Sequence, residues 1–182
     1  MPSLRITAGS LRGRRVAVPP HDVRPTSERA RQAYFNIVAP RIEGARFLDL
    51  FAGSGVFALE AVSRGAASAT AVEKDKRNAA AIAHLAKTWE LPITTVTDDA
   101  FNAIPRFRDA FDLVYVDPPY DFDRTADLLG AIDEELKLTN GALVAFEHRR
   151  KSDPFARELR WLVRERTAEY GEVWITFFAK HG

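Results

Sequence analysis

The amino-acid sequence predicts an α/β fold built on a mostly parallel seven-stranded β-sheet with helices on both faces. Between residues 47 and 147, short apolar runs alternate with segments that carry apolar residues at helical spacing. This alternation is typical of parallel strands, because each crossover between them needs a connection about as long as a helix. Two strand-like segments around Gly171 follow Pro154 and predict a closing antiparallel hairpin.

A small β-hairpin is expected at the N-terminus. Residues 4–7 and 15–18 have the pattern of two short strands, and Gly9 and Gly13 lie in the connection between them. Pro19-Pro20 is expected to end the hairpin, because proline has no backbone N–H to donate to a strand ladder.

A helix is expected next, after Arg24-Pro25-Thr26. Thr26 is suited to cap its N-terminus, and Glu28 lies in the first turn, where a negative charge is favourable. Pro40 is expected to end the helix. Its predicted buried stripe consists of Ala30, Ala33, Tyr34, Ile37 and Val38. The hairpin and this helix form a predicted extension, residues 1–40, attached to a main domain of residues 41–182.

The remaining elements follow from the same periodicities. Gly65 is expected to end the first helix of the main domain, and Asn140-Gly141 predicts a turn. Strands are predicted at residues 47–50, 69–73, 93–96, 111–116, 142–147, 161–169 and 173–179, and helices at residues 56–64, 75–89 and 125–136.

The composition excludes several classes of protein. The chain has 182 residues and no cysteine, so it forms neither disulfides nor a thiolate metal site. It has no run of about 18 apolar residues, which a membrane span needs. The N-terminus lacks the apolar core of a signal peptide. A reducing cytoplasm fits the absence of cysteine. We also expect a monomer with no metal and no membrane partner.

Positive charge is concentrated near the N-terminus. Residues 1–31 contain seven arginines and two acidic residues, a local charge of +5, whereas the whole chain carries +1. Arginine has a planar guanidinium group that suits phosphate oxygens, so a polyanionic partner is expected. The alternative is a charged segment that only faces solvent.

The most informative motif is Asp117-Pro118-Pro119-Tyr120, directly after an apolar run at residues 111–116. The Asp117 carboxylate and the Pro118 carbonyl are suited to accept both hydrogens of an exocyclic amino group on a nucleobase or amide. Such hydrogen bonds push that nitrogen towards tetrahedral geometry and make its lone pair available for reaction. Tyr120 offers a flat surface on which a base can stack. The alternative is a simple turn, because Asp and Pro are common turn residues.

A second motif, Asp49-Leu50-Phe51-Ala52-Gly53-Ser54-Gly55, joins a predicted strand to a predicted helix. Gly53 and Gly55 permit a sharp turn and a close approach of a ligand to the backbone. Glu73 ends the next strand and is suited to bind a ribose diol. The glycine spacing also fits a dinucleotide such as NAD. Asp49 favours a methionine-plus-adenosine ligand, because a carboxylate there suits an ammonium group and not a pyrophosphate.

A third segment, Asp98-Asp99-Ala100-Phe101, follows the third strand of the main domain. It offers a carboxylate acceptor for an adenine amino group and an apolar neighbour for the ring. Either carboxylate could face the adenine. Because ligands of open α/β sheets bind at the carboxyl ends of the strands, all three segments are expected to share one site.

With these motifs the chain resembles the Rossmann-like class I S-adenosylmethionine-dependent methyltransferases, and more closely the RsmD-type 16S ribosomal RNA guanine-N2 methyltransferases. The resemblance covers essentially the whole chain and includes Leu59-Glu60-Ala61 and Ser63-Arg64-Gly65. It implies that S-adenosylmethionine is the cofactor, bound by Asp49, Phe51, Ala52, Gly53, Ser54, Gly55, Glu73, Asp99 and Ala100. It implies that Asp117, Pro118, Pro119 and Tyr120 hold the target base. It also implies RNA binding by Arg12, Arg14, Arg15, Arg24, Thr26, Arg29 and Arg31.

The resemblance therefore implies methyl transfer to guanine N2 in ribosomal RNA or in a small-subunit ribosomal particle. Three alternatives remain open at this point: an adenine-N6 methyltransferase on RNA or DNA, a dinucleotide-dependent oxidoreductase, and a non-catalytic RNA-binding module. Folded RNA is favoured over duplex DNA, because the chain shows no added domain for reading a DNA sequence.

Overall fold

The computed structural model describes residues 3–18, 28–119, 121–150 and 153–182. An antiparallel hairpin, β1 (Ser3–Arg5) and β2 (Arg15–Ala17), precedes helix α1 (Glu28–Ile42). The other helices are α2 (Val56–Ser63), α3 (Lys76–Thr88), α4 (Ala100–Ala103) and α5 (Thr125–Glu135), and a 3-10 turn covers Ile104–Arg106. In these ranges no helix combines the length and apolar character that a membrane span requires.

The central sheet has seven strands: β3 (Arg46–Asp49), β4 (Ser68–Val72), β5 (Ile93–Val96), β6 (Phe111–Val116), β7 (Leu138–Arg149), β8 (Leu162–Tyr170) and β9 (Val173–Lys180). Their spatial order is β5-β4-β3-β6-β7-β9-β8. The first five strands in this order are parallel, β9 is antiparallel to β7, and β8 is antiparallel to β9. The predicted α/β architecture is thus confirmed.

Helices cover both faces of the sheet, because side chains along each strand alternate between two hydrophobic clusters. In β6, Leu113 and Tyr115 belong to the first cluster, whereas Val114 and Val116 belong to the second. The N-terminal hairpin, α1, α2 and α3 pack on the first cluster, and α4 and α5 pack on the second. A ligand at the edge of the sheet can therefore contact helices from both faces.

The prediction that Pro40 ends α1 was wrong, because the helix continues to Ile42. A proline this close to the end of a helix removes one backbone hydrogen bond. Burial of Ile42 in the first cluster offsets that loss. The chain changes direction at Gly44, whose φ is 72°.

Asn140-Gly141 does not form a turn before the fifth strand of the main domain. Both residues lie within β7, and Gly141 has a φ of 76°. Phe111 is opposite Leu138, whereas Leu113 is opposite Leu143, so the register with β6 shifts across this stretch. The pair therefore marks an irregularity inside a strand, which the sequence pattern did not distinguish from a turn.

Polar contacts dock the N-terminal hairpin on α2. The buried carboxylate of Glu60 accepts hydrogen bonds from the backbone N–H and the hydroxyl of Thr7. The Leu11 N–H donates to the Ser63 hydroxyl at 2.9 Å. Gly9 lies at the same contact with a φ of 80°, and a Cβ there would be 1.7 Å from the Ser63 carbonyl oxygen. Glycine is therefore required for this close approach of hairpin to helix.

Replacing Gly9 by alanine is expected to destabilise the protein more than replacing Gly13. Both glycines have positive φ, 80° and 89°, so each alanine adds backbone strain of about 1–2 kcal/mol. A Cβ at Gly13 meets no atom within 4 Å, which makes Gly13→Ala a matched control. Gly9→Ala should cost roughly 1–3 kcal/mol more, because the hairpin must move away from Ser63. Urea unfolding measures both, and equal losses would contradict this constraint.

Candidate active site

Three carboxylates lie together at the carboxyl ends of β4, β3 and β6. Asp49 is the last residue of β3 and is in register with Ala71 of β4 and Tyr115 of β6. Glu73 and Asp117 directly follow these two neighbouring strands. The parallel register thus brings acidic residues from distant parts of the sequence to one edge of the sheet.

A cavity of about 370 Å³ opens at this edge. The predicted site residues that line it are Asp49, Phe51, Ala52, Gly53, Ser54, Glu73, Asp99, Ala100, Asp117 and Pro119. Pro118, between Asp117 and Pro119, is buried, and Tyr120 lies outside the described residues. Within the described ranges, no group of three or more His, Asp or Glu side chains is arranged to hold a metal ion.

Gly53 and Gly55 shape the turn after β3, with φ angles of 52° and 77°. The Gly55 N–H donates to the Ala52 carbonyl at 2.7 Å, and Gly55 is the N-cap residue of α2. A Cβ on Gly55 would be 2.8 Å from Ile82 of α3. The turn therefore packs tightly against α3, while Gly53 presents bare backbone to the cavity.

Glu73 holds the glycine turn in place. Its carboxylate accepts hydrogen bonds from the N–H of Gly53 and the N–H of Asp75, both at 2.7 Å. Each carboxylate oxygen can accept more than one hydrogen bond, so Glu73 can still receive hydroxyl donors from a ligand. One side chain thus links β4, the turn after β3 and the cavity.

Asp49 is in an unusual electrostatic environment. Burial raises the pKa of Asp49 to about 8, and the nearby carboxylates of Asp117 and Glu73 act in the same direction. The Phe51 N–H, at 3.3 Å from the carboxylate, acts in the opposite direction. A cation in the cavity would favour the ionised form. Asp49 is therefore suited to bind an ammonium group.

Asp98 and Asp99 differ in how fully their carboxylates are bonded. Hydrogen bonds from the Asn102 side chain and the Asp99 N–H, together with the Arg106 guanidinium, lower the pKa of Asp98. These partners occupy both oxygens of Asp98. One oxygen of Asp99 accepts from the Phe101 N–H at 2.9 Å and caps α4. Asp99 is also the more exposed of the two, so it is the more accessible acceptor for a ligand.

Aromatic rings form the wall of the cavity on the α1 side. Tyr115 stacks on Phe57 with the ring centroids 3.9 Å apart, and its centroid is 4.9 Å from that of Tyr34. Its hydroxyl donates to Glu147. Burial raises the pKa of Tyr115, which keeps the phenol neutral at physiological pH. Sequence reasoning missed Tyr115 and Phe57, although the end-of-strand position of Tyr115 was an available signal.

The predicted RNA-binding residues fall into three groups. Those exposed on the hairpin and at the start of α1 are Arg12, Arg14, Arg15 and Arg29. Arg24 and Thr26 lie outside the described residues. The structure corrects the prediction that Arg31 binds RNA on the surface. Its side chain is 0% exposed, forms an ion pair with Glu60 at 3.0 Å and lines the cavity. Its helical position, next to the apolar stripe of Tyr34 and Phe35, directs it inward and away from any RNA backbone on the surface.

The chain is similar in sequence and in structure to several known proteins. Residues 4–179 match the family model described as Conserved hypothetical protein 95. Ribosomal RNA small subunit methyltransferase D from Escherichia coli strain K12 is 35% identical, over 79% of this chain and 74% of that protein. The solved structure of yhhF from Escherichia coli is 29% identical, with a TM-score of 0.86 over 99% of each chain. An RNA methyltransferase from Salinibacter ruber, solved with S-adenosyl-L-homocysteine, shares the fold at 15% identity, with a TM-score of 0.67 over 86% of this chain and 94% of that chain.

The contribution of Asp49 to the stability of the ligand-free protein is expected to fall as the pH rises from about 4 to about 8. In this window the folded protein keeps a proton on Asp49 that the unfolded chain releases, because the folded-state pKa is about 8. The contribution of Asp49 is complete below the unfolded-state pKa and is lost as the pH passes through the folded-state value, with a slope of up to about 1.4 kcal/mol per pH unit.

Asp49→Asn removes this titration and is the matched control. Urea unfolding of both proteins across this pH range gives two stability curves, and their difference isolates Asp49. Curves that stay parallel would contradict a protonated, buried Asp49.

Proposed function

The chain belongs to the family described as Conserved hypothetical protein 95, the RsmD family of methyltransferases, and on this premise we propose that it transfers a methyl group from S-adenosylmethionine to the exocyclic N2 amino group of a guanine in small-subunit (16S) ribosomal RNA. One observation carries the proposal. The glycine turn after Asp49 and the segment that begins at Asp117 line the same cavity. A methyl donor and an amino-group acceptor can therefore meet there.

The cavity has a suitable group for each part of S-adenosylmethionine. The Asp49 carboxylate suits the ammonium group, Glu73 suits the ribose hydroxyls, and Asp99 suits the adenine amino group. Gly53 lets the ligand approach the backbone of the turn. The cofactor supplies a methyl group bound to a positively charged sulfur. The Salinibacter ruber protein, which shares the fold, was solved with S-adenosyl-L-homocysteine, and this supports the assignment.

Asp117 and Pro118 activate the target nitrogen in this proposal. The Asp117 carboxylate and the Pro118 carbonyl accept its two N–H hydrogens, which returns the lone pair to the nitrogen. Tyr120, the next residue but one, stacks on the base. The nitrogen bonds to the methyl carbon as the carbon–sulfur bond breaks and S-adenosylhomocysteine leaves. The proton on the methylated nitrogen is acidic only after this step and is then lost to water, so no strong general base is needed. Rate enhancement comes mainly from holding the two reactants in line and excluding water.

We assign RNA recognition to the extension of residues 1–40 and methyl transfer to residues 41–182. The exposed arginines of the hairpin and α1 suit phosphate oxygens. A guanine in an unpaired RNA loop can be splayed into the cavity, whereas a base in a duplex is hidden. The substrate is ribosomal RNA or a small-subunit ribosomal particle. The protein acts as a monomer in the cytoplasm.

Transfer of labelled methyl groups, followed by nucleoside mass spectrometry, tests the function. Wild-type protein should label 16S ribosomal RNA and yield N2-methylguanosine, and it should bind S-adenosylhomocysteine but not NAD in a thermal-shift assay. Methylated adenosine would indicate an adenine-N6 enzyme instead. Binding of NAD alone would indicate an oxidoreductase, and RNA binding without any methylation would indicate a non-catalytic module.

Asp117→Ala should lower the rate of methyl transfer by about 100-fold or more, the scale seen when one preorganised hydrogen-bonding group is removed from an active site. Affinity for S-adenosylhomocysteine, measured by calorimetry, should survive, because removing this charge also relieves its repulsion with Asp49. A variant that loses cofactor binding, or one that keeps full activity, would contradict the role assigned to Asp117.

Replacing Arg12, Arg14 and Arg15 together by glutamine should weaken RNA binding and leave cofactor binding unchanged. Each lost phosphate contact should reduce the slope of log affinity against log salt by about 0.7–0.9. The matched control replaces Arg157, Arg160 and Arg166, exposed residues in and next to β8, and removes the same charge. Equal effects of both triple variants in a salt titration would mean that overall charge, and not the hairpin, attracts the RNA.

A further inference from the structure

Arg31 is a buried cation whose hydrogen-bonding capacity is only partly used. Its Nε donates to Glu60 at 3.0 Å, and its Nη2 donates to the Arg5 carbonyl at 2.7 Å. Its third nitrogen, Nη1, is buried and has no hydrogen-bond partner in the part of the chain that the structure describes. Buried polar groups almost always have a partner, because an unbonded donor destabilises the fold. A strong donor is thus left without an acceptor among the described residues.

Arg31 also shares its ionic partner with a second cation. Glu60 pairs with Arg31 at 3.0 Å and with Arg64 at 2.8 Å, so two cations share one carboxylate. Their side chains are well shielded, since Arg31 and Glu60 are 0% exposed and Arg64 is 13% exposed. Buried charge is costly unless it is paired. An anionic ligand would complete this cluster.

The position of Arg31 indicates which part of a ligand it would meet. Arg31 lines the same cavity as Asp49. It belongs to α1, which packs on the first hydrophobic cluster, whereas Asp99 caps α4 on the opposite face of the sheet. A ligand whose adenine lies at Asp99 would therefore approach Arg31 with its other end.

We propose that Nη1 of Arg31 binds the α-carboxylate at the methionine end of S-adenosylmethionine, while Asp49 binds the ammonium group of that end. This inference rests on the proposed function. A carboxylate matches the free guanidinium donor in charge, and such charge-assisted hydrogen bonds are strong. A cation and a carboxylate in one cavity are complementary to the two opposite charges of an α-amino acid. Arg31 is then a specificity-determining residue for the cofactor.

Two ligands and the full chain test this proposal. S-adenosylhomocysteine has the carboxylate, whereas its decarboxylated analogue keeps the adenosine, the sulfur and the amine. Wild-type protein should bind S-adenosylhomocysteine roughly tenfold to hundredfold more tightly, the range for one hydrogen bond to a charged group. Calorimetry measures both affinities. Equal affinities would overturn the role of Arg31, whereas no binding of S-adenosylhomocysteine would overturn the proposed function and this inference with it.

Arg31→Met and Arg64→Met form a matched pair, because each removes one of the two cations that contact Glu60. Arg31→Met should bind S-adenosylhomocysteine roughly tenfold to hundredfold more weakly and leave the affinity for the decarboxylated analogue unchanged. Arg64→Met should keep the wild-type ratio of the two affinities. Equal weakening of both ligands by Arg31→Met would show a purely structural role and overturn the proposal.

A second substitution at the same position tests the proposal if Arg31→Met does not fold. Arg31→Lys keeps a cation for Glu60 but lacks the free Nη1 donor, so it should show the same selective loss of affinity for S-adenosylhomocysteine. Retention of the wild-type ratio in a folded Arg31→Lys protein would also overturn the proposal.

Discussion

The register of β3 between β4 and β6 is the constraint on which the site depends. Asp49 is opposite Ala71 and Tyr115, so Glu73 and Asp117 leave their strands beside it. Because side chains alternate along a strand, a slip of one residue would turn Asp49 to the other face of the sheet. The shape of the cavity and its acidity both follow from this hydrogen-bonding pattern.

The same pattern has an electrostatic consequence. Three carboxylates at one edge are unfavourable in a protein without a cationic ligand, and burial makes the charged form of Asp49 costly. A ligand that carries an ammonium group and a sulfonium group would reduce the repulsion between these carboxylates. The site therefore lowers the stability of the ligand-free protein and raises its affinity for a positively charged cofactor.

Glu60 connects the two parts of the chain that differ in composition. Its buried carboxylate contacts Thr7 of the hairpin segment, Arg31 of α1 and Arg64 at the end of α2. The arginine-rich extension is therefore not a separate appendage in packing terms, because its apolar residues share the first hydrophobic cluster with the main domain. A surface suited to RNA and the wall of the cavity are held by the same side chain.

The sequence by itself determined the order of the main strands and helices, the glycine turn and the motif that begins at Asp117, because these depend on local periodicity and on adjacent residues. It did not show α4, the continuation of α1 past Pro40 or the irregularity at Gly141, because these depend on packing between distant segments. Arg31 is the clearest case. In the sequence it belongs to a run of arginines typical of a phosphate-binding surface. The tertiary structure alone decided that it lies inside the protein, because its ionic partner, Glu60, is 29 residues away along the chain.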